Sequence, residues 1–130
     1  MKRKNLIARK KAKEQKLLFK DRKILNFYTK FKSVIYKNIK NKNFALAVSG
    51  GPDSLCLAYF TKIYSSEFRN KIHVLIVNHN LRKESHYEAL KVKKILKMRN
   101  ISSTILNWKG KIPKNNIQKK ARDIRYTLLK

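Results

Sequence analysis

The chain has 130 residues, with 34 Lys and Arg against 7 Asp and Glu, a net charge of +27 and one cysteine. The length fits one small domain, and a lone cysteine excludes a disulfide framework or a cysteine-rich metal site and suits a reducing cytosol, so a cytoplasmic location is expected. No apolar run approaches the roughly 20 residues of a membrane span, so no membrane partner is expected, while the charge points to a polyanion, nucleic acid first.

Residues 1–23 hold eleven Lys and Arg against Glu14 and Asp21 and show no apolar face before Leu17, Leu18 and Phe19. They read as a basic N-terminal arm, with a domain over residues 24–130. No apolar stretch follows the basic start, which excludes a secretory signal. The start is acid-poor like an organelle-targeting segment but lacks the serines of one. Lys outnumbers Arg 26 to 8 and Asn and Ile are frequent, a mix that an AT-rich coding sequence also produces.

From Ile24, apolar residues recur at helical steps through Phe27, Phe31, Val34 or Ile35, and Ile39, and the helix stops near "NKN". "FALAV", 44–48, is short, apolar and unbroken, which suits a strand covered on both faces. Residues 54–64 read as a helix, and the β-branched run 71–79 as a second buried strand. Residues 84–100 form a helix with Ala89, Val92, Ile95, Leu96 and Arg99 marking its faces. Residues 101–108 are a third strand, and a last helix carries Ile117, Ala121, Ile124 and Leu128 as its apolar stripe. Strand–helix alternation at this spacing means a parallel sheet with right-handed crossovers, an α/β fold.

Two of the three glycines, Gly50 and Gly51, stand together in "AVSGGPDS", between the first strand and its helix. The carboxyl end of such a sheet is where ligands sit. A strand-to-helix turn there offers backbone N–H groups and a helix N-terminus to an anion. Glycine permits close approach, Ser49 and Ser54 add hydroxyls, and Pro52 suits the first helical turn. A Walker A loop needs Gly-Lys-Ser/Thr after its glycines, the dinucleotide fingerprint needs a third spaced glycine, and a hydrolase elbow needs Gly where Ala47 stands.

The string Ser49-Gly50-Gly51-Pro52-Asp53-Ser54 resembles the Ser-Gly-Gly-x-Asp-Ser signature of the PP-loop ATP pyrophosphatases. Within that group, "VNHNLRKES" (77–85) is similar to the Val-Asp/Asn-His-Gly-Leu-Arg stretch of the tRNA(Ile)-lysidine synthetases. "NNIQKKARDIRYTLL" (115–129) is similar to their Ala-Arg-x-x-Arg-Tyr helix. The resemblance covers roughly residues 27–130.

It implies a sheet with helices on both faces, truncated here after three strands. It also implies a reaction: ATP adenylates the C2 oxygen of the wobble cytidine of an isoleucine tRNA, and the side-chain amine of lysine displaces AMP. Residues 49–54 would bind ATP. Asp53 would be catalytic and would hold Mg²⁺, an ion that takes carboxylates and keeps several waters. His79, Arg82, Arg122 and Arg125 would contact nucleotide or tRNA. A packed His79, a solvated Arg82 and a solvent-facing basic last helix are the plain alternatives.

Gln118, Arg122 and Arg125 share one helix face, and Cys56 and Trp108 are assigned to the core. Asn80 replaces the usual Gly, and Asn tolerates unusual backbone angles. The family continues into a fourth strand and a His-Asp-Asp segment, so this chain looks like an amino-terminal piece. Without a fourth strand, "FALAV" would be an apolar edge prone to self-association or to pairing with a second chain. The rivals are a PP-loop sulfur transferase, for which a second cysteine is missing, and a non-catalytic RNA-binding remnant.

Overall fold

Asp21 starts the first helix whose bounds are described. Its carboxylate accepts from the N–H of Lys23 at 2.8 Å, so α1 runs Arg22–Ile39 and opens before Ile24. The structure, a computed structural model, describes Lys13, residues 19–110 and residues 115–130. Most of the basic arm therefore lies outside the described residues. After α1 come β1 (Phe44–Val48), α2 (Pro52–Phe68), β2 (Ile72–Asn78), α3 (Ser85–Met98), β3 (Ser103–Asn107) and α4 (Ile117–Leu128). The alternation expected from the sequence is present.

The covered face of α1 keeps Ile24, Phe31, Ile35 and Ile39 of the periodic row but takes Tyr28 in place of Phe27. Tyr28 is the buried residue, whereas Phe27 is 67% exposed. The row that meets α2 is Ile24, Tyr28 and Phe31, against Phe60 and Ile63. Val34 is exposed and Ile35 half-buried. Tyr28 wins because its ring stacks on Phe19 at 4.9 Å and meets Phe60 edge-on at 5.4 Å, while its hydroxyl donates to Glu67 Oε1 at 2.8 Å. A phenylalanine could not use that acceptor. Glu67 also pairs with Lys32.

The three strands are parallel, in the order β1-β2-β3. Leu46 lies opposite Val74, and Val74 opposite Ser103. Two right-handed crossovers that step the same way place α2 and α3 on one face. That face holds the core: Val48, Val74 and Ile76 of the sheet against Ala58 of α2 and Ala89 and Leu96 of α3, with Ile101. On the other face, Leu75, Val77 and Leu106 are half-buried, and Ala45, Ala47, His73 and Thr104 are exposed. The expectation that β1 is covered on both faces is thus corrected, since its burial alternates. β1 pairs with β2 alone among the described strands and forms the sheet edge, as a sheet truncated after three strands requires. α4 buries Ile124.

Candidate functional site

β1 ends at the buried Val48, and the chain must turn into α2 within three residues. Gly50 makes the turn at φ +91°, a conformation that strains L residues, and a Cβ there would overlap Val92 Cγ2 of α3. Gly51 is different. It is the N-cap of α2 at φ −69° and ψ 161°, ordinary extended backbone. The nearest atom to a Cβ built there is Ser49 Oγ, at 4.0 Å. The fold does not need glycine at 51, and the space above it is open. Pro52 stands in the first turn of α2, and no side chain caps the helix, so its leading N–H groups lack a side-chain acceptor.

Ser54 braces this loop from within. Its Oγ accepts from the Gly50 N–H at 3.1 Å and donates to the Gly51 carbonyl at 2.9 Å, and Ser49 Oγ stands 3.2 Å from it. Of the two hydroxyls expected to face an anion, Ser54 holds the loop open and Ser49 is the more exposed. Asp53 is exposed in the first turn of α2, toward the groove between α1 and α3. Among the described residues, no three His, Cys, Asp or Glu gather into a metal site. Asp53 lines that groove and not the cavity beside the loop, but a carboxylate at the start of α2, next to the glycine turn, is of the kind that fits Mg²⁺, which takes its remaining ligands from phosphate and water.

Beside the loop lies a cavity of about 390 Å³, lined by Ser49, Asn78, His79, Arg82, Glu88 and Arg125 among others. The β2–α3 turn that supplies His79 and Arg82 is held by an asparagine network. Asn78, 2% exposed, donates from Nδ2 to Asn80 Oδ1 at 3.0 Å and to Asn107 Oδ1 at 2.9 Å, and its own Oδ1 accepts from the Asn80 N–H at 3.1 Å. Asn80 sits at φ 52° and donates to the Trp108 carbonyl at 2.8 Å. The asparagine that replaces glycine therefore ties the ends of β2 and β3 together as well as tolerating the angle.

His79 is half-buried, and its Nδ1 is buried without a partner. Burial, and secondarily the Arg125 cation, hold its imidazole below the ordinary pKa, so it is kept neutral. Arg82 pairs with Glu88 at 3.3 Å, both exposed.

α4 divides its polar face. Arg125 lines the cavity, Arg122 lies over the Tyr126 ring at 5.8 Å, and Gln118 is exposed near the helix start. Cys56 is exposed on α2, which corrects its assignment to the core. Trp108 is half-buried, with Nε1 buried and unpartnered. Sequence reasoning missed Glu88 and the Asn78–Asn107 contact. Glu88 carried a signal, standing six residues after Arg82 in an acid-poor chain. The Asn pair carried none without the strand register.

A parallel sheet with an uncapped, glycine-opened turn at its carboxyl end is the architecture of an α/β nucleotide-binding domain. The PP-loop domain matches residues 21–130, and the chain belongs to that ATP-binding family. Its similar curated proteins are tRNA(Ile)-lysidine synthases. That of Bartonella quintana is 42% identical over 93 residues, covering 70% of this chain and 20% of the relative. That of Orientia tsutsugamushi is 40% identical over 90 residues, covering 69% and 20%. That of Lactobacillus gasseri is 34% identical over 105 residues, covering 78% and 24%. The matched part of this chain thus spans about a fifth to a quarter of the length of these relatives. No helix among the described residues is long and apolar enough to cross a membrane.

Proposed function

We propose that this chain is the ATP-binding portion of a tRNA(Ile)-lysidine synthase acting in the cytoplasm. The observation that carries the proposal is the open space above Gly51, at the uncapped start of α2 and beside a cavity edged by His79 and Arg125. In the proposed reaction, the C2 oxygen of the wobble cytidine attacks the α-phosphorus of ATP and the bond to the β-phosphate breaks, releasing pyrophosphate. The lysine amine then attacks C2, and AMP leaves with the oxygen. The Gly51 turn and the first N–H groups of α2 bind the leaving pyrophosphate, with the Ser49 hydroxyl beside them. Asp53 would hold Mg²⁺, which offsets charge building on that leaving group. Arg125 faces the nucleotide phosphates, and neutral His79 presents an uncharged ring to the nucleotide. Arg82, exposed on the cavity wall and paired with Glu88, and Arg122, outside the cavity, meet tRNA phosphates. The β1 edge, with Ala45 and Ala47 exposed, is where a second copy or a further segment would complete the sheet.

A second reading, RNA binding without catalysis, is favoured by the net charge of +27 and by the absence of an acidic metal cluster among the described residues. One experiment separates them. The chain is incubated with α-labelled ATP, Mg²⁺, lysine and an isoleucine tRNA whose wobble base is cytidine. Retained ATP with AMP release and lysine-bearing tRNA is expected of the ligase. Retained tRNA without bound ATP would overturn the nucleotide site and leave the RNA-binding reading.

A further inference from the structure

The outer face of α3 carries a row that the nucleotide site does not use. Tyr87, Lys91, Lys94 and Met98 recur at helical spacing, opposite the buried Ala89 and Leu96. Tyr87 and Met98 are each 75% exposed, and Leu90 beside them is 43% exposed. Lys91, Lys93, Lys94 and Lys97 are all exposed on this helix. The ion pairs among the described residues are Lys32–Glu67 and Arg82–Glu88, so no described carboxylate pairs with these lysines. Glu88 points its charge at Arg82, off the row. Tyr87 stands in the first turn of α3, which begins just past the carboxyl end of β2, the end where the cavity opens.

We propose that this face binds a single-stranded RNA segment, with phosphates on Lys91 and Lys94 and a base stacked on Tyr87. The inference rests on the reading that the chain works on tRNA, and it assigns the surface that would guide an unpaired loop toward the site. Cations without acids attract the backbone, and an exposed aromatic among them is the platform on which bases of any identity stack. From Tyr87 to Met98 the helix rises about 16 Å, room for a few nucleotides. Tyr87 meets the His86 ring edge-on at 6.2 Å and leaves its face to solvent; an acidic protein surface would satisfy the lysines but gives no use for an exposed ring near the site.

Fluorescence anisotropy with a fluorescein-labelled single-stranded 12-nucleotide RNA tests it, using the whole chain at several salt concentrations. Lys91→Gln with Lys94→Gln should weaken binding and flatten the plot of log affinity against log salt by about 1.4, two single-strand phosphate contacts. Tyr87→Ala should lose roughly tenfold with the slope unchanged, and Tyr87→Phe should restore it. All three variants should melt like the parent, since the sites are exposed. Lys30→Gln with Lys37→Gln on α1 is the control for charge alone. If the parent chain binds no RNA, both this inference and the tRNA reading are overturned. If it binds, but the α3 variants behave like the α1 control, only the α3 surface is overturned. If polyglutamate displaces the RNA at matched charge and Tyr87→Ala has no effect, the face is a docking site for acidic protein instead.

Discussion

The two adjacent glycines should fail in opposite ways when each becomes alanine. Gly50→Ala forces an L side chain to φ +91°, a cost of about 1–2 kcal/mol. Its Cβ also displaces Val92 Cγ2, and overpacking of this kind costs about 1–3 kcal/mol. The sum, about 2–5 kcal/mol, corresponds to a melting temperature lower by on the order of 10–20 °C for a domain this size. Val92→Ala alone should destabilise. In the Gly50→Ala background it relieves the overlap, so the double variant should melt no lower than Gly50→Ala, a coupling typical of touching residues. Gly51→Ala has open space and an allowed backbone, so it should melt at or slightly above the parent, by about 0.4–1 kcal/mol. Its methyl would fill the space proposed for the phosphates, however, and ATP affinity should fall at least tenfold. Thermal melts paired with equilibrium dialysis of ATP measure both. A Gly50→Ala variant as stable as the parent, or a Gly51→Ala variant that unfolds, would refute the reasoning.

The asparagine network gives an ordered series. Asn80→Gly keeps φ 52° open but loses the side-chain bonds to Asn78 and Trp108, Asn80→Ala adds the strain of that angle, and Asn78→Ala removes the buried amide that meets both Asn80 and the exposed Asn107. Urea titration should rank Asn80→Gly mildest, with losses of about 0.5–1.5 kcal/mol for each hydrogen bond removed. The depressed pKa of His79 means that the folded chain binds fewer protons than the unfolded one just below the ordinary His value of 6.5. Stability must therefore fall as pH drops from 7 through that window. His79→Gln should flatten the dependence, and Arg125→Gln should flatten it less, because burial is the larger cause. Tyr28→Phe removes the hydroxyl bond to the Glu67 carboxylate and should cost about 1–3 kcal/mol in the same titration.

Much of the site was legible because its geometry is local. A strand end, two glycines and a helix start lie within eight residues, so "AVSGGPDS" locates the open turn without tertiary knowledge. Local spacing did not say which glycine does what. Gly50 is required by Val92, which is 42 residues away and brought near only by the α3 packing. Tyr28 and Phe27 are neighbours with similar apolar weight, and a hydrogen bond to Glu67 across the helix pair decided between them. β1 reads as doubly buried because Ala45 and Ala47 are apolar, yet both are exposed at the sheet edge. Cys56 looked like core for the same reason, sitting in an apolar run while facing outward. The partition of Arg122 and Arg125 depends on the orientation of α4 against the sheet end, which helical spacing alone does not set.

The proposed function requires that the turn after β1 bind the phosphates of ATP. The most direct measurement is a titration of the ¹⁵N-labelled chain with Mg·ATP, followed through the backbone amides. Saturable shifts concentrated at Gly50, Gly51, Asp53 and Ser54, with smaller ones at His79 and Arg125, are expected, all lost in Gly51→Ala. Shifts that never saturate, or that fall on the basic helix faces and spare the loop, would contradict it.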